Sequence, residues 1–282
     1  MNTAILPSVP RRRQAGFTMM EIAISLAIIG IALVAIVGVL PYGLHAQRDN
    51  REETIIGQDA SVLLDAIRSG AHGMDDLTNY VISITNIQSY YPGGNQAPTT
   101  NFYGFSYSTV TRNGAIDGTL TELVLTNGAN IVGILSWPEF TDKTNFSPIP
   151  NLQNGNYLIQ NGGYLNHIVA YFHSLSGPAA EKAPQDNPIL RGDSFGYRVI
   201  CVNAPAAIPA DGAAHGYNNQ VGYNQRELRL TFTWPLLPNG SIGSAPNGSV
   251  TFRTTIAGQV MPDLNFFPWH YFCRPQFFTN AP

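Results

Sequence analysis

Between Ile22 and Leu40 the chain runs for 19 residues without a charged side chain, and Pro41 closes the run. Wound as an α-helix, a stretch of this length reaches about 30 Å, the hydrocarbon thickness of a bilayer. Its surroundings say how it is used. Arg11, Arg12 and Arg13 lie just ahead of it, so the positive-inside rule leaves the first residues in the cytoplasm and sends the remainder across. At the cytoplasmic edge stands Glu21. A carboxylate at that depth is costly and is normally kept for a partner. Within the run, Ala23, Ala27, Gly30, Val34 and Gly38 share one helical face. Small residues so placed let helices approach closely, although Ala and Gly are also common in membrane helices that do nothing of the kind.

An ordinary secretory signal also has a basic start and an apolar core. Its core is usually shorter, and Leu44-His45-Ala46 makes a poor cleavage site. A plain anchor explains the apolar run but not the order Arg-Arg-Arg-Gln-Ala-Gly16, then Phe17-Thr18-Met19-Met20-Glu21. That order resembles the type IV prepilin signature. The resemblance implies that a prepilin peptidase cuts between Gly16 and Phe17 and that the new amine of Phe17 is methylated. It also gives Glu21 an assembly role: cutting creates an ammonium at the lip of the bilayer, and a carboxylate one turn away can neutralise it on an adjacent subunit.

After Pro41, Leu44, Ile55, Ile56, Ala60, Leu63, Leu64 and Ile67 alternate with Arg48, Asp49, Arg51, Glu52, Glu53, Asp59 and Asp65, the pattern of an amphipathic helix. Ser69-Gly70 supplies a stop, with Gly as the cap. Pro41 is expected to bend or loosen the helix without ending it. Leu40-Pro41-Tyr42-Gly43-Leu44 is similar to minor pilins and to the I-type minor pseudopilin of type II secretion.

The following residues read as mainly β. Charged residues make up only 12% of the chain, with 27 Gly and 20 Pro, which favours turns and strands over a helical bundle. Expected strands are 102–110, 122–125, 131–137, 167–172, 194–202, 227–234 and 249–256. Leu228, Leu230, Phe232 and Trp234 alternate with Arg229, Thr231 and Thr233. Turn signals fall at Asn113-Gly114, Asp117-Gly118, Asn127-Gly128, Asn239-Gly240 and Asn247-Gly248. The strands on either side of 235–247 are expected to form a hairpin or meander.

Net charge is −3, and without the first 16 residues 12 cations face 18 acids. Nothing here suggests nucleic-acid binding. The H-E-x-x-H, Walker and G-x-G-x-x-G patterns are all absent from the sequence. His167 and His173 share a strand face about 20 Å apart, too far to act together. Asp75-Asp76 could assist calcium, but no D-x-D-x-D-G loop accompanies them, and a solvated loop is the simpler reading. Tyr90, Tyr91, Phe102, Tyr103, Phe105 and Tyr107 could meet a partner or glycan, though aromatics on strands more often pack. The dense segment 266–272 reads as a tail packed on the head. Cys201 and Cys273 are expected to pair across about 70 residues, with two buried free thiols as the alternative. Two cysteines alone offer no recognisable metal spacing.

The expected architecture is α+β: a prepilin leader at 1–16, a transmembrane and amphipathic helix at 17–69, and an antiparallel β-rich, pilin-like head at 70–282. The resemblance implies a bacterial inner-membrane protein whose head lies in the periplasm or in a cell-surface filament. Its implied partners are the prepilin peptidase, other pilin or pseudopilin subunits, an inner-membrane assembly platform and membrane lipid. No catalysis, cofactor or metal is expected. The alternative is a membrane-anchored binding or enzymatic domain carrying a prepilin-type signal.

Overall fold

The computed structural model describes residues 16–70, 74–94, 96–107, 109–118, 124–149, 154–176, 195–206, 221–237, 239–243, 248–263 and 270–278. Arg11, Arg12 and Arg13, the segment 266–269, Glu122, Ser194 and Asn247 lie outside them. Contacts divide the chain into two compact units, one ending at Glu52 and the other beginning at Glu53.

Helix α1 (Met19–Ser69) continues through Pro41. In the first unit its residues are exposed along almost the whole length, the apolar stretch included. In the second unit Ile56, Ala60, Leu63, Ala66 and Ile67 are fully buried, and Leu64 packs beside them. These positions return to one face every three or four residues, and each large side chain buried there stabilises by about 1.5–3 kcal/mol. Asp59 departs from the expected pattern. It was grouped with the polar face, yet it is fully buried on the apolar stripe. The helix ends as expected at Ser69, with Gly70 at φ +72°. A Cβ there would meet the Cys273 carbonyl oxygen at 2.7 Å, so both the left-handed backbone and the close approach require glycine.

The head is built from β1 (Val81–Tyr91), β2 (Thr99–Ser106), β3 (Val110–Arg112), β4 (Ala115–Ile116), α2 (Gly128–Leu135), β5 (Phe140–Asp142), α3 (Asn154–Asn161), β6 (Gly163–His173), β7 (Gly196–Pro205), β8 (Gln225–Trp234), β9 (Gly248–Ala257), β10 (Gln259–Asp263) and β11 (His270–Arg274). One antiparallel sheet runs in the order β4-β3-β2-β1-β6-β7-β8-β9, with β5 added to β6, while β10 and β11 form a separate pair. Along β8 the alternation falls as expected, with Leu228, Leu230, Phe232 and Trp234 buried. The inner faces of β6 and β7 add Ile168, Ala170, Phe172, Tyr197 and Val199 to the core that receives α1. The expected β8–β9 hairpin is present.

Several expectations are corrected. The segment 131–137 is not a strand but mostly the buried helix α2. A short run apolar on every side suits either structure, and the helix wins because Asn127 caps it, its Oδ1 accepting the Ala129 N–H at 2.8 Å. Asn127-Gly128 is therefore a helix start and not a hairpin turn. The 102–110 strand divides into β2 and β3, and Val124–Thr126 is a 3-10 turn where a strand was expected. Asn113-Gly114 does form the β3–β4 turn, with φ +52° and +82°, the paired positive values of a tight hairpin. Strands β1, β4, β5, β10 and β11 lie outside the expected set.

A polar layer crosses the inner face of the sheet. The Asn166 amide donates to the Pro138 carbonyl at 3.0 Å and accepts from Gln88 Nε2 at 3.0 Å. Arg226, also buried, donates from Nε and Nη2 to Asn203 Oδ1 and O, both at 2.7 Å. Asn203 in turn donates to the Ser136 carbonyl at 2.7 Å, tying the end of α2 to the sheet. Burial pulls the Arg226 guanidinium down to about 10, which leaves it charged at neutral pH.

Candidate processing and assembly site

Gly16, Phe17 and Thr18 precede α1 in non-helical backbone, and the Phe17 ring is 85% exposed. The scissile bond expected from the sequence thus lies in exposed, non-helical chain beside a helix start. Thr18 occupies the N-cap position. Its carbonyl accepts the first helical hydrogen bond from Ile22 N–H at 3.2 Å, and its Oγ1 accepts the Glu21 N–H at 3.3 Å. Glu21 answers in the other direction: its Oε2 accepts the Thr18 backbone N–H at 2.8 Å and the Thr18 hydroxyl at 3.0 Å.

This reciprocal pair is a capping box, in which two N–H groups that a helix start would leave without partners are satisfied locally. The carboxylate also lies at the positive end of the helix dipole. The Thr-x-x-Glu spacing of Thr18 and Glu21 is the sequence signal of this local role, which the expected intersubunit role of Glu21 did not include. Beyond Glu21, the first part of α1 is long and apolar enough to cross a membrane, with a mean hydropathy of 2.9 over its best 18 residues. Ala23, Ala27, Gly30, Val34 and Gly38 are all exposed along it.

The other singled-out residues do not converge on this site or on one another. Cys201 on β7 and Cys273 on β11 are buried free thiols, so the expected disulfide is not formed. The two lie in different sheets, and the Cys273 Sγ points to the Ala257 carbonyl at 3.9 Å. Burial pushes these thiols up to about 12 and about 11. Asp75 lies in a 3-10 turn, where its Oδ1 accepts the Gly128 N–H at 3.3 Å. No cluster of three potential metal ligands occurs among the described residues.

His167 is exposed on the outer face of β6. Phe105 is core, Tyr90 packs on Tyr164 at 5.0 Å between ring centroids, and Phe102 and Tyr107 are about half exposed. The part of the aromatic tail that is described, β11, buries Tyr271 and Cys273.

Residues 11–37 match the family model described as the prokaryotic N-terminal methylation motif. No curated protein and no solved structure matches the chain. The motif together with the long apolar helix makes the N-terminal region prepilin-like, and the antiparallel β-rich region behind it gives the α+β composition consistent with a pilin-like fold. The motif implies processing by a prepilin peptidase and association with pilin-type assemblies, and it fits anchoring in the inner membrane.

Proposed function

We propose, from the premise that a chain bearing the prokaryotic N-terminal methylation motif is a prepilin-type processed protein, that this one is a minor structural subunit of a type IV pilus or of a type II secretion pseudopilus. The peptidase cuts between Gly16 and Phe17, the Phe17 amine is methylated, and the mature chain is drawn into the assembly by its apolar helix from an inner-membrane platform. The head then lies in the periplasm or on a cell-surface filament and performs no chemistry of its own.

The observation that carries this reading is positional. The matched motif covers the exposed Gly16-Phe17 bond, the capped start of α1 and most of the apolar run, all within residues 11–37. Every apolar side chain of that run is exposed, so lipid or neighbouring helices are its natural surroundings. The minor-subunit reading is supported by the likeness of residues 40–44 to minor pilins and pseudopilins. Mass spectrometry of the mature N-terminus tests the proposal. A methylated Phe17 is the expected first residue; an intact Met1 or a cut near Ala46 would overturn it.

A further inference from the structure

Asp59 brings into the core of the head a carboxylate that no cation among the described residues compensates. It is 0% exposed. Its Oδ2 accepts the Leu175 N–H at 2.9 Å and its Oδ1 accepts the Ser176 hydroxyl at 2.6 Å. The same short turn after β6 is braced by Ser174, whose hydroxyl donates to the Ser176 carbonyl and whose N–H donates to the Phe195 carbonyl. Residues 174–176 thus fold around one side chain of α1, from more than a hundred residues away in sequence.

The other groups that face Asp59 among the described residues are neutral. Tyr197 on β7 is buried beside it, and burial together with the Asp59 charge holds that phenol well above its usual range. Tyr80, which follows the 3-10 turn, is raised by burial and by the charges of Asp76 and Asp59. Among the described residues no cation acts on Asp59; only hydroxyl and backbone donors do.

We propose that Asp59 and the Ser174–Ser176 turn form a proton-operated clasp, which grips the Glu53–Ser69 part of α1 more firmly when the carboxyl is neutral than when it is charged. A buried carboxylate with no ion pair has lost its hydration, and two or three hydrogen bonds replace that only in part. Burial accordingly raises the Asp59 carboxyl above its ordinary range, against the opposing pull of its donors. A neutral Asp59 still accepts the Leu175 N–H at Oδ2, while the proton it carries on Oδ1 is donated in a hydrogen bond to Ser176 Oγ, whose hydroxyl can rotate to accept it.

The sign follows from linkage. The folded state holds this proton more tightly than the unfolded chain, so the stabilisation is complete below the unfolded carboxyl's range. It is lost as pH rises through the folded one. His270 acts in the opposite sense. Burial pulls it down to about 4, so its contribution is present above the ordinary histidine range and is lost as pH falls towards 4. The comparison must therefore be between wild type and an Asp59 variant at each pH.

Thermal melting of the full chain in detergent tests the clasp with Asp59→Asn, a neutral isostere that keeps one acceptor for Leu175. The variant is expected to melt above wild type at neutral pH and together with it in acid. A variant that melts below wild type at neutral pH, or a gap that does not change with pH, overturns the proposal. A carboxyl 13C titration of the wild-type chain gives a second readout that needs no folded Asn variant. The Asp59 midpoint should lie above that of an exposed aspartate and move further up in Ser176→Ala. A midpoint at or below the exposed value, or one that Ser176→Ala leaves in place, overturns the proposal equally.

Discussion

Leu44 and Leu63 are the same residue type on the same helix, yet replacing each with alanine should have opposite outcomes for the head. Leu63 is 1% exposed within the core shared by α1 and the sheet, whereas Leu44 is 58% exposed in the other unit. Removing a fully buried leucine costs its transfer free energy and leaves a cavity, together about 2–5 kcal/mol. In a domain of this size each kcal/mol lowers the melting temperature by about 2–4 °C, so Leu63→Ala should fall by roughly 4–20 °C. Leu44→Ala removes no packed neighbour and should stay within about 0.5 kcal/mol of wild type. Trp137 and Trp234 are both buried in the head, so tryptophan fluorescence during urea or thermal unfolding reports on this unit. Equal shifts for the two variants, or a Leu63→Ala shift indistinguishable from zero, would refute the division of labour along the helix.

The capping box allows the proposed intersubunit role of Glu21 to be tested apart from its local one. Thr18→Ala removes the cap and keeps the charge, whereas Glu21→Ala removes both. Incorporation into sheared filaments should therefore be reduced mildly by the first and severely by the second, with peptidase cleavage intact in both; equal defects would assign the role of Glu21 to capping alone. For the cysteines, alkylation of the folded, unreduced protein should label neither thiol, since both are buried with raised pKa values. Denaturation without reductant should then expose two labelled thiols, and none would restore the disulfide.

How much could be read from the sequence depended on whether the deciding interactions were local. The apolar run, the amphipathic stripe, the Gly70 stop and the β8 alternation each follow from the pattern of one continuous stretch of chain, and each was legible. Strand β1 was not, because its inward positions include Asn86 and Gln88 beside Ile84, while Ile87 points to the other face. Polar residues on the core side hide the alternation that marks a strand. Asp59 failed for a related reason. A carboxylate on an amphipathic helix belongs on the wet face unless donors await it, and its donors are Leu175 and Ser176, 116 and 117 residues away. At the N-terminus the capping box is local too, carried by the Thr-x-x-Glu spacing of Thr18 and Glu21.

The strand order also bears on how the head comes into being. β1 lies at the middle of the sheet, yet its pairing with β6 joins Tyr91 to Gly163 and Ile84 to Ala170, closures of about 70–90 residues. Strands β6, β7, β8 and β9 follow one another as sequential antiparallel neighbours, each joined by a much shorter connection. Loop-closure entropy and the slowing effect of non-local pairing both favour the short connections first. The C-terminal meander is thus expected to assemble early, with the β1 hairpin and α1 docking onto it late. Until they dock, the hydrophobic side of that meander, with Phe172, Leu230 and Phe232, has no helix to cover it. A subunit tethered to the bilayer by its first helix would pass through this adhesive interval at the membrane surface, where neighbouring nascent chains are its nearest risk.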